Sequence, residues 1–177
     1  MGHLNVEFKA RCHNPHFIRQ ILASLNASLK GVDHQIDTYF NTSRGRLKLR
    51  EGIIENNLIY YERSDTQGSK ESHVILFETE PRSILKEMLA NSFGILAVVD
   101  KKREIYFVEN VKIHIDNVET LGSFVEVEAI DMDGSIGKPK LESQCAHFLD
   151  IFKIAQEDLI ATSYSDLILN PNIVQKV

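Results

Sequence analysis

The chain has no tryptophan, only four prolines and only nine glycines in 177 residues, which excludes collagen-like and low-complexity Pro/Gly architectures. Its two cysteines, Cys12 and Cys145, lie far apart. They form no CxxC pair and no metal-ligand spacing, and read as free thiols in a reducing compartment. The seven histidines contain no HxxxH or HxH pair, which argues against zinc. No GxxxxGK[ST] loop is present, so a P-loop nucleotide enzyme is excluded, and no GxSxG elbow marks a serine hydrolase. No apolar run approaches the ~20 residues of a membrane span. No basic region followed by an apolar stretch opens the chain, so a signal peptide is not expected and the predicted location is cytoplasmic. A net charge of −5 argues against a duplex-DNA binder but leaves room for a small basic pocket.

A hydrophobic share of 43% against 25% charged residues describes an ordinary globular chain, and with no Pro/Gly/Ser-rich linker we read one domain over residues 1–177. Asn14-Pro15 opens a helix as N-cap and first position, with Phe17, Ile18, Ile21, Leu22, Leu25 and Leu29 at helical spacing and Gly31 as its stop. Strands are predicted at 3–11, about 33–41, 45–52, 57–65 and 71–79, then around 95–109, 110–118 and 121–132. Further helices are predicted from Pro81 to Phe93, at 140–153 and at 156–169. The fold class is α+β, an antiparallel meander of about eight strands covered by helices.

Three of these strands alternate charged and apolar residues: Asn5-Val6-Glu7-Phe8-Lys9-Ala10-Arg11, Arg46-Leu47-Lys48-Leu49-Arg50-Glu51 and Phe124-Val125-Glu126-Val127-Glu128-Ala129. Alternation puts the charges of each strand on one face. In an ordinary sheet that face is the solvated one. In a closed barrel it can line a polar tunnel, with the apolar face buried under helices. The number of helices needing an apolar surface favours the barrel.

Glu126 and Glu128 project to one side, with Glu7 and Asp116 as candidates to join them; such oxygens suit Mg²⁺ or Mn²⁺. Lys9, Arg11, Lys48, Arg50, Arg63, Lys101, Arg103 and Lys112 share strand phase, and converging Lys and Arg groups match the ~4 negative charges of a triphosphate. His114 lies in phase between Lys112 and Asp116, although a packed histidine is the plainer reading. Tyr39, Tyr60, Tyr61 and Tyr106 read as packing residues.

The ordered set of motifs resembles the CYTH superfamily, which includes class IV adenylyl cyclases, thiamine triphosphatases and inorganic triphosphatases. The stretches that carry the likeness are Asn5-Val6-Glu7-Phe8-Lys9, similar to ExExK, Gln35-Ile36-Asp37-Thr38-Tyr39-Phe40, Gly45-Arg46-Leu47-Lys48-Leu49-Arg50, Lys101-Lys102-Arg103, and Leu121-Gly122-Ser123-Phe124-Val125-Glu126-Val127-Glu128, similar to LGxFxExE of class IV cyclases. The resemblance implies an eight-stranded antiparallel barrel, a triphosphate tunnel. It implies divalent metal at Glu7, Glu126 and Glu128, with Asp116 an addition, and phosphate contacts from Lys9, Lys48, Arg50, Arg63, Lys101, Arg103 and Lys112. It implies a small-molecule triphosphate as partner, no duplex DNA and no membrane, and leaves a homodimer open. The implied reaction is conversion of ATP to cyclic AMP and pyrophosphate. Hydrolysis of thiamine triphosphate, tripolyphosphate or a nucleotide, or binding without turnover, are the alternatives. Asn5 stands where ExExK has its first Glu, which removes one unit of negative charge from the expected metal site.

Overall fold

This computed structural model describes residues 2–63 and 68–170. Eight strands close into one antiparallel barrel in the order β1-β5-β4-β3-β2-β6-β7-β8. They are β1 (His3–Arg11), β2 (Ser28–Phe40), β3 (Arg46–Glu51), β4 (Asn57–Arg63), β5 (Lys70–Glu78), β6 (Ile95–Val108), β7 (Val111–Val118) and β8 (Gly122–Asp131). The helices are α1 (Pro15–Ser24), α2 (Leu85–Phe93), α3 (Lys138–Ile151) and α4 (Tyr164–Leu169), with a single 3₁₀ turn at Gln156–Asp158. The predicted α+β barrel is therefore the observed one. The end of the strand expected over 57–65 lies outside the described residues. Among the described residues no helix is long and apolar enough to cross a membrane.

Parity decides what faces where. The outward residues Val6, Phe8 and Ala10 of β1, Val111, Ile113 and Ile115 of β7, and Val125, Val127 and Ala129 of β8 form one apolar surface. Ile18 and Leu22 of α1 and Leu141, Cys145 and Phe148 of α3 cover it. Each buried Val, Leu, Ile or Phe among them contributes ~1.5–3 kcal/mol. With the apolar face consumed by helices, the charged face has only the barrel interior to occupy.

Three elements differ from their sequence reading. Helix α1 starts as expected, with Asn14 Oδ1 accepting from the Phe17 N–H at 3.1 Å, but ends at Ser24 rather than running to Gly31. Asn26 takes a left-handed conformation (φ 53°), and the Ala27 N–H bonds the Leu22 carbonyl at 2.9 Å, closing the helix with a Schellman turn. Leu29 belongs to β2, and Gly31 sits at a register shift between β2 and β6, where a Cβ would meet Ile54 at 2.7 Å. Helix α2 begins at Leu85 because Pro81 and Arg82 form a turn, Arg82 having φ 59°. The helix expected over 156–169 breaks because the chain lies extended against β1 there. Leu159 bridges Ala10, and the Ile160 N–H donates to the Lys9 carbonyl at 2.8 Å.

The β3–β4 loop is organised by one carboxylate that the sequence reading did not single out. Buried Asp33 accepts from the backbone N–H groups of Ile53, Ile54 and Glu55 at 2.7, 2.9 and 3.0 Å, and from Gln35 Nε2 at 2.9 Å. Gly52 is required beside it, since a Cβ there would lie 2.6 Å from Asp33 Oδ2. Hydrogen bonds to a charged group are worth ~1.5–3 kcal/mol each, so Asp33→Ala is expected to cost about 3–5 kcal/mol in a urea unfolding titration. An unchanged midpoint would mean that the loop is held by something else.

Candidate functional site

The inward faces of the strands line one cavity of about 490 Å³. Strand register sets its layout. Glu7 on β1 lies opposite Glu128 on β8, which lies opposite Lys112 on β7. One step along β1, Lys9 faces Glu126, which faces His114. On the far wall Asp37 of β2 faces Arg50 of β3, and Tyr39 faces Lys48. All seven cations expected to contact phosphate line the cavity: Lys9, Lys48, Arg50, Arg63, Lys101, Arg103 and Lys112. Of the expected metal residues, Glu7, Glu126 and Glu128 line it and Asp116 does not. Arg11 lies at the end of β1 with its guanidinium 5.8 Å from the Phe124 ring centre and is not among the lining residues.

The side chains are tied into three ionic clusters. Asp37 accepts both Nε and Nη2 of Arg50, at 2.9 and 3.0 Å, and also Lys48 Nζ at 3.0 Å and Lys101 Nζ at 2.6 Å. Burial would raise its pKa, but Arg50, Lys101 and Lys48 together hold the carboxyl well below its usual range. Burial, with Arg50 and Arg103 nearby, pushes Lys101 well below the ordinary lysine range despite Asp37. Glu55, carried by the Asp33-braced loop, accepts Lys112 Nζ at 2.8 Å and Arg50 Nη1 at 3.1 Å. Glu126 accepts Lys9 Nζ at 3.0 Å and Arg103 Nη2 at 2.7 Å. Arg103 is also gripped by Asp116 through Nε at 2.7 Å and Nη2 at 2.6 Å, and Tyr164 donates its hydroxyl to Asp116 at 2.7 Å. Asp116 thus orients Arg103 from behind and does not join the Glu126–Glu128 pair. Glu7 pairs with Arg63.

Glu128 is the exception. Among the described residues no Lys or Arg lies within ion-pair reach of it, and its nearest basic neighbour is His114, with Nδ1 at 3.6 Å. Burial and the neighbouring Glu126 push its pKa up to about 7. Burial, with Arg103 close by, pushes the His114 imidazole down to about 3, so the ring is neutral. His114 is not itself among the lining residues, but it, Glu126 and Glu128 each offer a ligand atom, all within 4.8 Å of one another. Asn5 lines the cavity with a buried Oδ1 that has no hydrogen-bond partner. Oxygen donors of this kind fit a hard divalent cation.

The two ends of the cavity differ. One is closed by Ile160, Tyr164 and Leu167, which pack on the inward-facing Tyr39, Val99, Val118 and Phe124. Lys9 Nζ sits 3.9 Å over the Tyr164 ring there. The other end is lined by Ile59, Val74, Leu76, Phe107, Ile130 and Met132, of which Leu76 and Met132 are exposed.

Sequence reasoning missed Asp37, Glu55 and Tyr164 as parts of the site. Asp37 had a signal, since it stands two residues before Tyr39 on the same strand face. Glu55 lies in a loop and Tyr164 on a short distant helix, so neither had one. Tyr39 and Tyr61, read as packing residues, pack and also line the cavity.

Comparison with known proteins gives a concordant picture. The family described as CYTH domain matches residues 3–164. A Methanocaldococcus jannaschii protein named "Putative adenylate cyclase MJ0240" is 24% identical over 172 residues, covering 93% of this chain and 98% of its own. A solved structure from Vibrio parahaemolyticus, titled a "putative adenylate cyclase", superposes with TM-score 0.77 at 17% identity, covering 96% of this chain and 99% of its own. One from Hippeastrum, titled "Putative adenylyl cyclase HpAC1 from Hippeastrum reveals a dominant triphophatase activity", superposes with TM-score 0.57 at 14% identity over 96% of both chains.

Proposed function

The chain belongs to the CYTH domain family, and from that premise we propose that it is a divalent-metal-dependent enzyme acting on an organic triphosphate, first of all a class IV adenylyl cyclase-like one that makes cyclic AMP and pyrophosphate from ATP. One observation carries the reading: the cavity lacks negative charge at one place and positive charge at another. Eight cations line it (the seven above and Lys30) against the four carboxylates Glu7, Glu55, Glu126 and Glu128, with Asp37 and Asp116 bonded to Lys48, Arg50, Lys101 and Arg103. The remaining excess of two cations, together with one divalent ion at Glu128, would match the charge of about −4 on a triphosphate.

The apolar end supports an organic group on that triphosphate. A base or other ring can rest on Phe107, Ile130 and Leu76 while its phosphates reach inward, whereas inorganic tripolyphosphate leaves that surface unused. Lys9, Arg63 and Arg103 would hold the inner phosphates, and Lys48, Arg50, Lys101 and Lys112 the opposite wall. Glu7, Glu126 and Glu128 would hold Mg²⁺ or Mn²⁺, which when bound neutralises phosphate charge and acidifies the attacking oxygen. In the cyclase reaction the ribose 3′-oxygen would lose its proton to water and bond to the α-phosphorus. The bond from that phosphorus to its bridging oxygen breaks, and pyrophosphate leaves with the electron pair. The chain's part is to align these atoms and stabilise the leaving charge. A triphosphatase is the second reading, favoured by the activity named for the Hippeastrum protein. There the same cations would place water against the terminal phosphorus.

Purified protein with ATP, thiamine triphosphate or tripolyphosphate, each with Mg²⁺ or Mn²⁺, separates these readings. Cyclic AMP with pyrophosphate is the expected product set, and orthophosphate would support hydrolysis. Absence of turnover, with a thermal shift by tripolyphosphate that needs no metal, would leave a binding module.

A further inference from the structure

We propose that His114 Nδ1 is a ligand of the divalent ion in this tunnel, and that this nitrogen makes the site prefer Mn²⁺ to Mg²⁺. The inference rests on the reading of the cavity as a metal-dependent site. It goes beyond that reading by adding a donor of a different chemical class from the carboxylates.

His114 is fully buried, yet neither ring nitrogen has a hydrogen-bond partner. A buried polar group without a partner is costly, and such a group is rarely kept without a reason. Its neighbours of the same phase on β7 are engaged: Lys112 with Glu55, and Asp116 with Arg103 and Tyr164. His114 Nδ1 instead stands 3.6 Å from Glu126 Oε2 and 3.6 Å from Glu128 Oε1. That is too long for a hydrogen bond. Donors adjacent around one octahedral ion, with bonds of ~2.1 Å, lie about 3 Å apart. With the three donor atoms within 4.8 Å of one another, side-chain movements of up to about 1 Å would close them around an ion. Glu126 Oε2 also accepts from Arg103 Nη2 at 2.7 Å, and the oxygen's second lone pair remains for the metal.

Ligand chemistry then sets the preference. Mg²⁺ favours oxygen donors and water, whereas imidazole nitrogen is a better partner for transition ions. Replacing one oxygen donor by nitrogen therefore gives Mn²⁺ an advantage that an all-carboxylate site would not.

The test uses the whole protein loaded with Mn²⁺ and no substrate. Electron spin-echo envelope modulation is expected to show ¹⁴N coupling to the ion, replaced by ¹⁵N coupling after growth on ¹⁵N-histidine. The coupling is expected to vanish in His114→Gln and to persist in His3→Gln, which alters the histidine at the cavity lining. Titrations followed by the spectrum of free Mn²⁺, with Mg²⁺ as competitor, should show Mn²⁺ affinity falling at least ~10-fold in His114→Gln and Mg²⁺ affinity changing less. Bound Mn²⁺ without nitrogen coupling overturns the inference and leaves the metal-dependent reading intact. Failure to bind Mn²⁺ at all overturns both. Should His114→Gln not fold, the isotope exchange in the parent protein, read beside His3→Gln, decides the question.

Discussion

Glu128→Gln is expected to lose at least ~10²-fold in turnover while making the metal-free protein more stable, two effects of opposite sign from one charge. Most carboxylates in the tunnel hold a Lys or Arg, so removing them would orphan a buried cation. Glu128 has no such partner among the described residues, and its raised pKa of about 7 reports burial first and Glu126 second. The sign follows from linkage. A folded-state pKa above the unfolded value of 4.5 means that the unfolded chain gives up the proton first. The charged carboxylate therefore costs the folded state progressively as pH rises from about 4.5 to about 7, and fully above that. Since the group opens onto the tunnel, that cost is on the order of 2 kcal/mol. In EDTA at pH 8 the variant should melt roughly 4–8 °C above the parent, and the two curves should meet as pH falls below 4.5. A variant that melts lower, or that keeps its turnover within tenfold, would show that Glu128 is neither strained nor needed to hold the ion.

The parts of this molecule that were legible in the sequence are those fixed by strand parity. Once Glu7, Lys9, Lys48, Arg50, Glu126 and Glu128 stand at alternate positions of closed strands, each must share a face with its neighbours in phase, and the helices decide which face that is. What parity could not supply is long-range. Asp37 looked like one more polar residue until closure of the barrel brought Lys48, Arg50 and Lys101 onto it. Glu55 depends on a loop built around Asp33. The segment after α3 has helical spacing, but Lys70 Nζ and the β1 backbone claim the groups of residues 160 and 161 that a helix would need. Gly31 looked like a helix stop because glycine serves both a helix end and a bulge, and only the pairing of β2 with β6 distinguishes them. His114 had the right phase, but its two unpartnered nitrogens are a property of packing that no periodicity carries.

Asp37→Asn should have the opposite pattern to Glu128→Gln: a large loss of stability without ligand, offset by a triphosphate. Asp37 is the one carboxylate that Lys48, Arg50 and Lys101 all contact, and it is buried. Removing one member of a buried ionic cluster costs ~3–5 kcal/mol because the remaining charges stay buried, and three cations put this case at the upper end. A fall of at least ~10 °C in melting temperature is expected in low-phosphate buffer. Tripolyphosphate should then recover much of it, since its oxygens can take the place of the lost carboxylate, and saturation at ~100 times Kd returns about 2.7 kcal/mol. The upward shift should be larger in the variant than in the parent, where Asp37 competes with the ligand for the same three cations. Equal shifts would place the phosphates elsewhere, on the Lys9–Arg103 side alone. A larger shift in the variant would mean that Asp37 stands in for phosphate when the tunnel is empty, so that binding is an exchange of anions among cations already in position, with little reorganisation left to do.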